Sequence, residues 1–400
     1  MNFEFAAPGR IVFGPGRVEA AGEIAKALSR GSGAARALVV SGADIRRSAP
    51  LVASLERAGL SCERYPVRGE PRFEDAREAT ALARSALCGV VIGFGGGSAL
   101  DLAKAVAALL ANPGDPMDYA EVIGGGKALS EPSYPCVAIP TTAGTGSEAT
   151  RNAVLASTEH RVKVSLRSPT MLPAVAIVDP ELTYGLPPTI TAQTGMDALA
   201  QLLEPFVCSS PSPLVDAICR GALPRVARSL PAAFDDGANA AAREDMAFAS
   251  LSGGLALANA RLGAVHALAG PLGGAFPVPH GAACAALLAP VASANVRALR
   301  SRDPGGPALA RYAQAASMLM GGDAAPGAVS EAEPEDASVF FAGLAARLGI
   351  RPLAEYGVGR DDFLEVARKA SASSSMRGNP IALTLEELMS ILEEATFFSE

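Results

Sequence analysis

The sequence predicts an α/β first half of the dinucleotide-binding kind followed by an all-helical second half. Three observations carry this. Short, β-branched apolar runs alternate with helical patterns through the first half. One such run passes through a glycine-rich turn directly into a helix. After Leu186-Pro187-Pro188 the strand signals fade and long amphipathic or alanine-rich stretches take over. The expected division is an α/β dinucleotide-binding domain over 1–185 and a helical domain over 186–400.

In chain order, strands are expected at 10–13, 37–41, 89–92, 136–140 and 175–179, each bounded by Gly, Pro or polar residues. Helices are expected between them at 18–28, 49–58, 74–86 and 99–110, the alternation of a wound, mostly parallel sheet. The second half predicts helices at 196–207, 214–230, 240–257, 308–320 and 384–396. Residues 321–336, rich in Gly, Ala, Pro and Glu, read as a flexible connection between helices, and no internal repeat is visible.

Composition removes several function classes. A chain of 400 residues with 49% hydrophobic and 19% charged residues can bury a large core in two domains. A net charge of −7 gives no basic surface with which to displace nucleic-acid counterions, so no nucleic-acid partner is expected. The longest apolar runs, such as 90–94 and 282–290, fall short of the roughly 20 residues of a membrane span. Six cysteines lie scattered without a CxxC pair, and the opening Met1-Asn2-Phe3-Glu4-Phe5 is no basic-then-apolar leader, so a cytoplasmic location with reduced thiols is expected.

The first chemistry-bearing motif is Gly93-Phe94-Gly95-Gly96-Gly97-Ser98, between a strand and a helix beginning at Ala99. Glycines let the backbone approach a diphosphate, and the N–H groups and dipole of the helix start stabilise its charge. Gly95, Gly96, Gly97 and Ser98 are the expected donors. A triple glycine alone also suits a plain tight turn. A second polar turn, Pro140 to Glu148, follows the next strand with Thr141, Thr142, Thr145 and Ser147, and two such strand ends suit a dinucleotide.

These turns, with Asp101 and Lys104, resemble the phosphate and nicotinamide-side motifs of iron-containing (group III) alcohol dehydrogenases. The likeness continues through Val178-Asp179-Pro180, Leu186-Pro187-Pro188, 194–199, 263–281 and Gly378-Asn379-Pro380, nearly the whole chain. It implies a Rossmann-like N-terminal domain and a helical C-terminal domain, as in dehydroquinate synthase, with NAD or NADP and a divalent metal, Fe2+ or Zn2+, in the cleft. It implies that Asp101, Thr141, Thr142, Thr145, Ser147 and Lys163 belong to the cofactor side, the alternative for Lys163 being a solvated charge. Many relatives carry an Asp just after the strand 37–41. Gly42 stands there here, with Arg46 and Arg47 following, so NADP is admissible unless both arginines are merely exposed on a helix.

The resemblance also implies a metal held by an Asp and a His four residues apart on one helix, plus two later histidines. This sequence supplies Asp197, Gln201, His266 and His280, so an amide oxygen replaces one imidazole and suits an oxygen-preferring ion. Gly270 and Ala289-Pro290 stand where relatives often carry further histidines of a proton relay. His266 and His280 are the expected catalytic residues, either as metal ligands or as proton donors to a carbonyl oxygen. Asn152, Leu257 and Phe276 are expected to line the substrate pocket.

The expected function is NAD(P)-dependent hydride transfer between an alcohol and an aldehyde or ketone. The alternatives are a metal-independent enzyme like the related maleylacetate reductases, and a nucleotide-binding scaffold without turnover. A homodimer meeting through N-terminal strands is implied by the resemblance, and Phe3-Glu4-Phe5 is compatible with one.

Overall fold

The computed structural model describes residues 3–30, 35–121, 123–160, 162–322 and 331–398. Its contacts form two compact units. One comprises Ala6–Thr142 and Gly146–Thr183; the other runs from Tyr184 onward and takes in Ala143–Thr145 and the N-terminal residues through Phe5.

The α/β unit contains β1 (Arg10–Phe13), α1 (Ala21–Leu28), β2 (Arg36–Gly42), α2 (Ala49–Arg57), β3 (Ser61–Val67), α3 (Phe73–Ser85) and β4 (Val90–Gly95). It continues with α4 (Gly97–Ala111), a single turn α5 (Pro116–Tyr119), β5 (Cys136–Pro140), β6 (Asn152–Ser157), β7 (Val162–Arg167) and β8 (Val175–Val178). Six strands make a sheet in the order β1-β8-β5-β4-β2-β3, and its pairings are parallel. The expected strands are all present within a few residues of their predicted bounds.

Three strands escaped prediction. β3 is an edge strand whose Glu63, Arg64 and Pro66 dilute the apolar signal, as edges commonly do. β6 and β7 form a separate antiparallel hairpin. The alternation Val162, Val164, Leu166 against Lys163, Ser165, Arg167 in β7 was readable as a half-buried strand. Residues 3–5 belong to no strand.

The second unit is helical: α6 (Pro188–Val207), α7 (Pro213–Asp235), α8 (Ala240–Asn259), α9 (Ala264–Ala275), α10 (His280–Arg302), α11 (Pro307–Leu319), α12 (Asp336–Arg347), α13 (Phe363–Ala372) and α14 (Leu385–Thr396). α6 begins eight residues before the predicted start, because Pro188 occupies its first turn, where a missing N–H costs nothing. α9 and α10 carry internal prolines, Pro271 and Pro290, and bury residues around most of their circumference, so neither shows an amphipathic period. α10 has the length and apolarity to cross a membrane, yet it packs against α6, α9, α12 and α14 as a core helix. Of the predicted connection at 321–336, residues 321–322 and 331–336 are described, and α12 opens at Asp336.

A buried polar network ties the first turns of α4 to the chain after β5. Lys104, fully buried, pairs with Asp101 at 3.0 Å and donates to the Ser147 carbonyl and Thr150 Oγ1 at 2.9 Å each. Asp101 accepts from Ser147 Oγ and from the Val154 amide of β6. Next to this network Glu148 is 1% exposed, and neither carboxylate oxygen has a partner among the described residues. Burial raises its pKa from 4.5 to about 7, against smaller opposing contributions from its own backbone N–H and Lys104.

The unfolded chain ionises this carboxyl from about 4.5 and the folded protein only from about 7, so folding loses stability as pH climbs through that window. The loss is on the order of 3 kcal/mol. In urea titrations, the stability of the parent minus that of Glu148→Gln should fall between pH 4.5 and 7 and then level off. A difference that does not change with pH would show that Glu148 ionises normally.

Candidate active site

In the α/β unit, β4 runs into α4 through Gly95 and Gly96. A Cβ on Gly93 would lie 2.9 Å from Ala103 Cβ, and one on Gly95 would lie 2.7 Å from Ala99 Cβ. The helix therefore rests on its own strand only because these positions lack side chains. Gly96 is the extended N-cap of α4; no side chain caps it and no acid occupies the first turn. The amide end of the helix is thus compatible with an anion. The Thr141 amide donates to the Gly95 carbonyl at 2.9 Å, and Thr142 Oγ1 lies 3.3 Å from where a Cβ on Gly96 would sit. The fold thereby brings Gly95, Gly96, Gly97 and Ser98 beside Thr141 and Thr142 at adjoining strand ends.

Other residues expected on the cofactor side have different surroundings. Asp101 and Ser147 bond to each other within the Lys104 network, which places both as braces of the turn. Lys163, on β7, pairs with Glu70 at 3.0 Å. Thr145 belongs by its contacts to the helical unit. Gly42 is the last residue of β2, and the first acid beyond the strand is Asp44. Asp44 holds Arg46 through both carboxylate oxygens, and Arg47 reaches the Leu182 carbonyl, so both arginines have partners.

The helical unit collects the expected metal residues. α6 carries Asp197, Gln201 and Glu204 at successive turns of one face, all buried. α9 supplies His266 and α10 begins with His280. His266 Nε2 lies 3.4 Å and His280 Nε2 3.8 Å from Asp197 Oδ1. The rings of the two histidines are 5.5 Å apart. Asp197 Oδ1, Gln201 Oε1 and His266 Nε2 are buried without hydrogen-bond partners among the described residues. Three orphaned donor atoms in an apolar helical core are costly unless something bridges them, and their chemistry is that of a divalent-cation site. The residues therefore fit the metal implied by the resemblance.

Sequence reading missed two members of this cluster. Glu204 Oε2 lies 2.6 Å from His266 Nδ1, and Glu204 Oε1 accepts the Val265 amide at 2.7 Å. A carboxylate only accepts, so Nδ1 of His266 carries the proton and Nε2 turns toward Asp197. The spacing Asp197, Gln201, Glu204 on one helical face was the available signal. Cys284, one turn after His280, places Sγ 3.6 Å from His280 Nε2. The ligand atoms of Asp197, His266, His280 and Cys284 all lie within 4.8 Å of one another. The third histidine, His160, hydrogen-bonds Ser157 Oγ in the β6–β7 hairpin. Of the expected pocket residues, Asn152 starts β6, Leu257 lies in α8 and Phe276 caps α9.

Burial opposes charge on Asp197, yet His280 and His266 outweigh it and hold the carboxyl at about 2. Burial likewise opposes charge on His266, but Glu204 and Asp197 together raise it to about 10 when no cation replaces the Nε2 proton. The cluster is thus arranged around positive charge.

Comparison with known proteins shows the family. Residues 8–180 match the iron-containing alcohol dehydrogenase family model, and residues 191–396 match the C-terminal model of the Fe-containing alcohol dehydrogenase family. The 1,3-propanediol dehydrogenase of Klebsiella pneumoniae is 34% identical over 98% of both chains. A crystal structure of 1,3-propanediol oxidoreductase superposes with a TM-score of 0.88 at 34% identity, covering 99% of this chain and all of that one (100%). The sulfoacetaldehyde reductase of Bifidobacterium kashiwanohense in complex with NAD+ gives a TM-score of 0.85 at 29% identity, with 100% of each chain covered. The chain belongs to the iron-containing alcohol dehydrogenase family and is an NAD(P)-dependent oxidoreductase that interconverts alcohols with aldehydes or ketones.

Proposed function

We propose that Asp197, His266 and His280 hold a divalent cation and that Gly95 to Ser98, with Thr141 and Thr142, receive the diphosphate and nicotinamide side of the cofactor. The observation that carries the metal reading is the set of orphaned buried donors, Asp197 Oδ1, Gln201 Oε1 and His266 Nε2. A bound cation would supply Lewis-acid polarisation of the carbonyl or alcohol oxygen. The protein's own part is positional. Glu204 fixes the tautomer and angle of His266. His280, 39% exposed at its side chain, marks the open flank of the cluster and is placed to orient the substrate oxygen.

The relatives' names, 1,3-propanediol dehydrogenase and sulfoacetaldehyde reductase, suggest short substrates with a second polar group. We propose that class here. We propose a homodimer as well; β1, an edge strand with half-exposed Ile11, offers unpaired backbone for it, and sedimentation at twice the monomer mass checks it.

Plasma mass spectrometry of purified protein, combined with NADH and NADPH oxidation on an aldehyde panel before and after chelation, tests the metal reading. Stoichiometric metal and chelator-sensitive turnover are expected, with Asp197→Asn losing both. A metal-free, active protein would instead indicate the maleylacetate reductase type, with His266 and His280 as proton donors, and a metal-free, inactive one would indicate a scaffold.

Removing the carboxylate from Glu204 should disturb the site without touching a ligand. Glu204→Gln is expected to weaken metal affinity by about 10–100-fold while retaining the fold. Competition with a chromogenic chelator reads this directly, and unchanged affinity would assign Glu204 to packing alone.

A further inference from the structure

We infer that Cys284 serves as the fourth protein donor in place of the imidazole that Gln201 does not provide, giving an Asp-His-His-Cys site for a zinc-class cation. This rests on the metal-assisted reading proposed above and deepens it.

The geometry carries the inference. Donors about 2.0–2.3 Å from a common tetrahedral centre stand about 3.3–3.6 Å from one another. His266 Nε2 to Asp197 Oδ1 is 3.4 Å, Cys284 Sγ to His280 Nε2 is 3.6 Å, and His280 Nε2 to Asp197 Oδ1 is 3.8 Å. The four ligand atoms come from three helices and crowd within 4.8 Å. His280 and Cys284 are four residues apart on α10, so one helical face delivers both, in the way that Asp197 and Gln201 share a face of α6. Two partnerless buried donors, Asp197 Oδ1 and His266 Nε2, supply the independent sign that something is bound here.

Ligand chemistry decides between Cys284 and Gln201. An amide oxygen is a hard, neutral donor, whereas a thiolate is soft and charged and selects zinc over oxygen-preferring ions. Coordination by Cys284 forms one metal–sulfur bond, and the thiol proton leaves to solvent. With Cys284 fully buried, a substrate oxygen would enter as a fifth donor along the exposed flank of His280.

The test uses the full-length protein, stripped with chelator and reloaded with Co2+ or Zn2+. Wild-type cobalt protein should show a near-ultraviolet thiolate-to-cobalt charge-transfer band beside visible ligand-field bands. Cys284→Ser should lose the first and keep the second. X-ray absorption of the wild-type zinc protein should show one sulfur at about 2.3 Å, which needs no variant and so decides even if Cys284→Ser fails to fold. Ligand-field bands without charge transfer, with a zinc shell of nitrogen and oxygen only, overturn the role of Cys284 and leave the metal reading intact. A charge-transfer band that persists in Cys284→Ser assigns it to another cysteine and also overturns it. Failure to retain either ion overturns the metal reading and this inference together.

Discussion

The contact between Glu204 and His266 is the interaction on which the helical site depends. It joins α6 to α9 inside an apolar core, and it decides which nitrogen of His266 faces Asp197. Glu204 also accepts the Val265 amide at the start of α9, so one carboxylate positions both the backbone and the ring of its partner. A buried acid is costly unless its oxygens are satisfied, and here both are. The unsatisfied nitrogen lies on the far side of the imidazole, where His266 Nε2 is 3.4 Å from Asp197 Oδ1. Such a grouping of unsatisfied polar atoms is a common property of binding sites.

The α/β unit solves a different problem, close approach. Gly93 and Gly95 let α4 lie on β4, and the Lys104 network then fixes the turn that follows β5 against the same helix. Lys104 is far from solvent, yet it is compensated by a carboxylate, a carbonyl and a hydroxyl. Asp101 and Lys104 therefore brace the segment after β5 against α4.

Much of this was legible in the sequence because it is carried by local periodicity. The five predicted strand runs, the glycine turn and the helical character after Leu186 all announce themselves within a window of ten residues or so. The residues Asp197, His266 and His280 were found through likeness to a family. Glu204 was missed because a Glu on a helix usually reads as a solvated charge, and only the fold shows it buried against an imidazole from another helix. Cys284 was missed because its neighbour His280 had drawn attention to the later histidine positions rather than to the next turn.

One further property follows from His280 being the first residue of α10. The Ala283 amide already bonds the Pro279 carbonyl, so the helix starts cleanly at this residue. Twenty-three residues of aligned peptide dipoles end beside Asp197. A carbonyl oxygen that gains negative charge as its carbon accepts hydride would sit in the field of that terminus, and this field neither titrates nor exchanges. Electrostatic help of this kind is built into the backbone, so side-chain substitutions at the cluster would leave it in place.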